Sequence, residues 1–248
     1  VYKTLLPCVL AGLLTTQQVQ AAETLRIAVA ANLLPVMERI AADYQQQTGT
    51  KLQIAGGSSG AFFEQIQRGA PFDLFYSADA ERPDKLAANG HGTDARTYAC
   101  GRLALWSPRQ PARLDNLPAG KVAIAQPQTA PYGKAALQAL ERSGQLATLK
   151  PRLVYGQDIG QTFQFILSGS APSGLVALSQ LTAAKTPSAQ YQQVDASLYE
   201  PLVQKRLILA KDARRGAAER FAAFFDTQQA TLQAAGYALP GEAGCAAD

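Results

Sequence analysis

From Glu23 onward, short β-type apolar runs alternate with stretches whose apolar residues recur at helical spacing, and this rhythm limits the chain's folds more than any other feature. Such alternation builds α/β proteins, and it predicts largely parallel sheets with helices packed against them. The first pair shows the pattern. LRIAVAA, residues 25–31, reads as a strand; after it Leu33, Val36, Met37, Ile40 and Tyr44 share one helical face, with Pro35 in the first turn and Gly49 at the end. Further strands are expected at 51–55, 73–79, near 102–107, at 121–125, 152–155, 174–178 and near 205–210. Helices are expected at 61–69, 134–143, near 160–168 and within 213–235. With 47% hydrophobic and 17% charged residues the composition is that of a globular chain, not a disordered one.

Residues 1–22 stand outside the rhythm. Lys3, an apolar stretch from Leu5 to Leu14, and small Ala21 and Ala22 before Glu23 have the order of a secretory signal peptide, and the stretch is too short to span a bilayer. Leu5-Leu6-Pro7-Cys8 faintly resembles a lipoprotein signal, but it precedes most of the apolar stretch and Pro7 is wrong beside the cysteine, so a lipid anchor is the minor alternative. Lys3 is the only charge in this segment. The remainder therefore has one basic residue fewer than the 23 of the whole chain against the same 19 acids, an excess too small and too dispersed to suggest nucleic acid as a partner.

Export also leaves two of three cysteines, Cys100 and Cys245, in a compartment where a disulfide can persist; a bridge between them and a pair of free thiols both remain open. His91 is the sole histidine, and no zinc-ligand spacing exists. The residues after the signal are many for one simple sheet and suit two α/β lobes of about 100 residues each.

Four segments follow an expected strand, are rich in small or hydroxyl residues, and lead into a helix: Ala30-Ala31-Asn32, Gly56-Gly57-Ser58-Ser59-Gly60, Gln126 to Gly133, and Gly156-Gln157-Asp158-Ile159-Gly160. A helix start at the carboxyl edge of a parallel sheet leaves unpaired N–H groups at the positive end of the helix dipole, which favours anions without any charged side chain. Each segment also has a plainer reading. GGSSG can be a linker, or a turn in which Ser59 or Gly60 starts the helix; Asn32 can be an N-cap, Tyr132 a half-buried aromatic, and Asp158 a cap in an ordinary loop.

Taken in order, these segments resemble the periplasmic molybdate-binding proteins of ABC transporters. The likeness runs from LRIAVAANLLPVMERIA through GGSSGAFFEQIQRGAPFDLFYSAD, APYGKAALQAL, GQDIGQ, SGLVALSQL and YEPLV to AAGYALP; its most specific piece is Gly69 to Asp79. The resemblance implies a two-lobed periplasmic-binding-protein fold of type II with an oxyanion, molybdate or tungstate, held between the lobes by neutral donors. It implies one lobe from 23–101 plus 198–248 and another from 102–197. It places the first-lobe site on Ala31, Asn32 and Ser59, and the second on Tyr132 and the backbone N–H of Ile159. Ala177 stands where some members carry a tyrosine, and Ala31 where close relatives of this branch carry a threonine, so Ala31 is expected to offer its N–H alone. The resemblance further implies no cofactor, a periplasmic monomer, and a membrane permease as partner.

A cage lined only by donors suits an oxyanion that is fully deprotonated near pH 7, because the proton of hydrogen phosphate would lack an acceptor. Asp158 is expected to cap its own helix and point away from such a ligand. Sulfate is the alternative ligand, since it differs from molybdate only in size. A secreted hydrolase with Ser58 or Ser59 as nucleophile and His91 as base is the remote alternative: no G-x-S-x-G elbow surrounds either serine, and His91 reads as an exposed turn residue.

Overall fold

The computed structural model describes residues 24–111 and 113–245. Residues 1–22, the expected signal segment with Cys8, lie outside the described residues. Two five-stranded sheets organise the rest. The first contains β1 (Thr24–Ala30), β2 (Lys51–Gly57), β3 (Leu74–Tyr76), β4 (Thr93–Gly101) and, from much later in the chain, β10 (Leu202–Ile208), in the order β2-β1-β3-β10-β4. The second contains β5 (Leu103–Trp106), β6 (Val122–Ala125), β7 (Leu153–Gly156), β8 (Ser173–Ala177) and β9 (Tyr191–Gln193), in the order β7-β6-β8-β5-β9.

Both sheets are mixed: in each, four strands share one direction and a single strand runs against them, so the expected parallel course holds except at that strand. β1 runs parallel to β2 and β3, but β10 is antiparallel to β3 and β4. Likewise β6 is parallel to β7 and β8, whereas β5 is antiparallel to β8 and β9. The reason is topological: β5 and β10 are the strands by which the chain enters the second sheet and returns to the first, so no crossover helix sets their direction.

Helices cover both faces of each sheet. Alternation along β1 sends Ile27 and Val29 into a core with Val36, Met37, Ile40 and Tyr44 of α1 (Leu34–Thr48) and Phe221 and Phe225 of α8 (Arg215–Asp226). Ala28 faces the other way, toward Phe62 and Ile66 of α2 (Ser59–Gln67) and Leu86 of α3 (Glu81–Ala88). In the second sheet Val122 and Ile124 pack on Ala135, Ala136, Ala139 and Leu140 of α4 (Pro131–Arg142). On the opposite face, Ala123 and Trp106 meet Phe163 and Ile166 of α6 (Ile159–Leu167). Short helices α5 (Leu146–Leu149), α7 (Leu178–Ala183) and α9 (Gln229–Ala234) complete the set.

The Cys100–Cys245 disulfide is formed, with Cα atoms 5.4 Å apart. It pins the C-terminal segment beside the end of β4, where Cys100 and Ala238 also exchange two backbone hydrogen bonds of 2.8 and 3.0 Å. Among the described residues no helix is long and apolar enough to cross a membrane.

Candidate functional site

The four strand-to-helix segments converge. Ala31, Asn32, Ser59, Tyr132 and Ile159 all line one narrow cleft of about 10 Å³ between the two sheets, together with Gly57, Ser58, Ala78, Pro131 and Asp158. That space is far below the roughly 300–1,000 Å³ that organic ligands usually occupy. A larger hollow of about 600 Å³ lies beside Gly101, Arg102, Asp195 and Tyr199. Volume alone would point there, but converging donors point to the smaller cleft.

Local sequence explains how each donor is presented. In GGSSG, Gly56 and Gly57 extend β2, Ser58 is the N-cap of α2 with its Oγ accepting from Ala61 N–H at 3.2 Å, and Ser59 opens the helix. The helix thus starts at Ser59, two residues earlier than the sequence pattern predicts. Ser59 is fully buried, and its Oγ accepts from the Ala78 N–H at 2.9 Å. With an acceptor role already filled, the hydroxyl proton remains to be donated.

The same logic holds across the cleft. Tyr132 is 1% exposed, not half-buried, and its Oη accepts from Gln204 Nε2 at 3.3 Å, which leaves its own proton for the cleft. Burial first, then the neighbouring Tyr237 phenol, pushes the Tyr132 hydroxyl well above the ordinary tyrosine value, so it stays a donor at every physiological pH. The backbone N–H groups of Asn32, Ser59 and Ile159 have no acceptor among the described residues. Two of them, on Ser59 and Ile159, open helices of nine residues each and lie at the positive end of the helix dipole.

One expectation needs correction, and one plainer reading falls. Ala31 does not offer its N–H, because that group donates to the Gly57 carbonyl at 2.9 Å to continue the β1–β2 ladder; Ala31 contributes wall, not a hydrogen bond. Asn32 is no cap: Leu33 precedes α1, and the Asn32 amide donates to Gln204 Oε1 at 3.0 Å and Tyr237 Oη at 2.9 Å. Asp158 does cap α6, accepting from Gln161 N–H at 2.8 Å, yet it still lines the cleft. Ala177 ends β8, and its N–H donates to Gln180 Oε1, while Gln180 Nε2 donates to the Ile159 carbonyl at 2.9 Å and so orients that segment.

The sequence reading missed Gln204, Tyr237, Tyr98 and Ser179, all buried around Asn32 and Tyr132. Tyr237 stood inside the AAGYALP stretch as a marker, whereas Gln204 sits in a strand with nothing to single it out. His91 is half-buried after α3 rather than exposed, and neither Ser58 nor Ser59 is hydrogen-bonded to it among the described residues.

Two lobes, each presenting helix N-termini and hydroxyl protons to a small cleft between them, define a substrate-binding protein of the two-lobed periplasmic class. The chain belongs to the bacterial extracellular solute-binding protein family, whose profile matches residues 25–238. It is 41% identical over 212 residues to the molybdate-binding protein ModA of Rhodobacter capsulatus, covering 82% of each chain. It is 40% identical over 241 residues to the molybdate-binding protein ModA of Azotobacter vinelandii, covering 92% of this chain and 94% of that one. The solved structure of the periplasmic molybdate-binding protein of Azotobacter vinelandii superposes with a TM-score of 0.82 at 36% identity, over 87% of this chain and 99% of that one. These relatives are transport proteins, not enzymes, and the hydrolase reading is set aside.

Proposed function

We propose that the protein captures molybdate, and tungstate with it, between its lobes and delivers the anion to the membrane permease of an ABC importer. The observation that carries this reading is the convergence of five protons on one small cleft: Ser59 Oγ–H, Tyr132 Oη–H and the N–H groups of Asn32, Ser59 and Ile159. Dehydrating a dianion is costly, so its oxygens must meet donors already held in place. Here each donor is fixed by a strand end, a helix start or a second hydrogen bond. The 40% and 41% identical relatives are named for molybdate, which supports that ligand over sulfate.

We read residues 23–101 plus 198–248 as one lobe and 102–197 as the other; the membership of the two sheets supports this division. Hinge motion about the two crossings would part the donor sets to admit the anion and bring them back around it. The protein works as a periplasmic monomer in this reading, with residues 1–22 as its export signal.

Calorimetric titration with molybdate, tungstate, sulfate and phosphate at matched ionic strength tests the assignment. Tight binding of the first two without heat from sulfate or phosphate is expected. Tight sulfate binding would retain the cage and overturn the ligand.

A further inference from the structure

Tyr132 serves an anion only if its proton points into the cleft, and what aims that proton is a chain of buried amides and phenols. The chain starts at the Asn32 backbone carbonyl, which accepts from Tyr237 Oη at 2.9 Å and from Ser179 Oγ at 3.0 Å. Tyr237 has thereby used its only proton, so its oxygen is an acceptor for Asn32 Nδ2. The second Asn32 amide hydrogen goes to Gln204 Oε1; Tyr98 Oη lies 2.7 Å from the same oxygen and 3.0 Å from the Ser77 carbonyl, and its one proton is shared between these two acceptors. Gln204 is thus held with its oxygen toward Asn32 and Tyr98 and its nitrogen toward Tyr132.

We propose that Gln204 is the positioning residue of the site: its amide, oriented by Asn32 and Tyr237, makes the Tyr132 oxygen an acceptor and turns the Tyr132 proton onto the bound anion. The inference rests on the oxyanion-site reading above. Were the Gln204 amide reversed, its oxygen would face Tyr132 and take that proton, and the second lobe would lose its side-chain donor. Gln204 sits on β10, a strand of the first sheet, while Tyr132 opens α4 over the second, so the bond also ties the two halves of the cleft. Gly101 keeps this approach open, because any side chain there would overlap the Tyr132 hydroxyl and the Gln204 amide. Asn32 Oδ1, buried without a partner, fits a network whose polarity is set by where its protons must go rather than by pairing every atom.

The test is a double-mutant cycle read as molybdate affinity, with circular dichroism and Tm verifying the fold. Gln204→Leu is expected to weaken binding five- to tenfold in the parent chain and less than twofold when Tyr132→Phe is already present, since no proton then remains to be aimed. Gln204→Glu keeps acceptors for Tyr98 and Asn32 and offers Tyr132 an acceptor in place of a donor, so it serves where the leucine variant does not fold. Its loss is expected to exceed tenfold and to shrink at least threefold beside Tyr132→Phe. Equal losses in both backgrounds, or none in the parent chain, overturn the role of Gln204 while leaving the site in place. If Tyr132→Phe alone leaves affinity unchanged, the placement of the site fails, and the inference falls with it.

Discussion

The backbone N–H of Gly60 donates to the carbonyl of Thr129 at 2.8 Å, joining the start of α2 on the first sheet to the loop before α4 on the second. A Cβ built on Gly60 would lie 2.8 Å from both the Cα and the carbonyl oxygen of Thr129, and backbone atoms cannot swing aside. Gly60→Ala is therefore expected to oppose closure of the lobes rather than folding. Titration should show molybdate binding weakened more than tenfold, while the Tm of the unliganded protein changes little. Unchanged affinity would mean that the lobes close without this contact.

In the proposed site Ser59 and Tyr132 supply the side-chain protons of the cleft, one from each side of it. Ser59→Ala and Tyr132→Phe should each weaken molybdate binding more than tenfold, as a hydrogen bond to a charged partner is worth about 1.5–3 kcal/mol. Ser59→Ala carries a second effect, because the Ala78 N–H loses its acceptor. Isothermal titration measures both losses, and a parent-like affinity in either variant would remove that residue from the site.

Ala31 lines the cleft with its N–H already spent on Gly57. A hydroxyl added by Ala31→Thr would restore a donor there, and affinity for molybdate is expected to rise about tenfold, the lower bound for such a bond. No gain would show that the hydroxyl does not reach the anion.

The disulfide holds the tail that carries Tyr237, eight residues before Cys245 in the chain. Cross-links of this kind typically contribute about 2–4 kcal/mol, so the paired change of Cys100 and Cys245 to serine should lower Tm by about 4–16 °C. Molybdate affinity should fall as well, because the Tyr237 bonds to Asn32 depend on that anchoring. Scanning calorimetry with and without reductant gives the first number, titration the second.

Arg206 is buried between Asp94 at 2.8 Å and Asp226 at 2.7 Å. Burial alone would raise the Asp94 carboxyl, but the hydrogen bond and charge of Arg206, followed by Arg96 and Arg215, hold it below its ordinary value. A carboxylate depressed in the folded state stabilises the protein above its unfolded pKa of about 3.9, and that contribution is lost as pH falls through the folded value. Asp94→Asn should thus be less stable than the parent in urea at pH 7, with the difference closing at pH 3. Asparagine tolerates the left-handed backbone at this position, where φ is 55°, so the comparison isolates the charge.

The α/β class, the first strand and helix, and the segments that meet in the cleft were legible because each rests on local chemistry: apolar period, helix-start residues and glycine at turns. The chain itself supplied the segments that contain Ser59, Tyr132 and Ile159 and their order, and the family resemblance picked those residues out of them. Tertiary structure alone decided what those residues do. The Ala31 N–H is consumed by a strand ladder whose register depends on Gly57, and the direction of the Tyr132 proton depends on Gln204, Asn32 and Tyr237, separated by up to 205 positions. The antiparallel course of β5 and β10 likewise follows from how the chain passes between sheets. Hydrogen-bond polarity and strand direction are set by partners distant in sequence, and no local pattern records them.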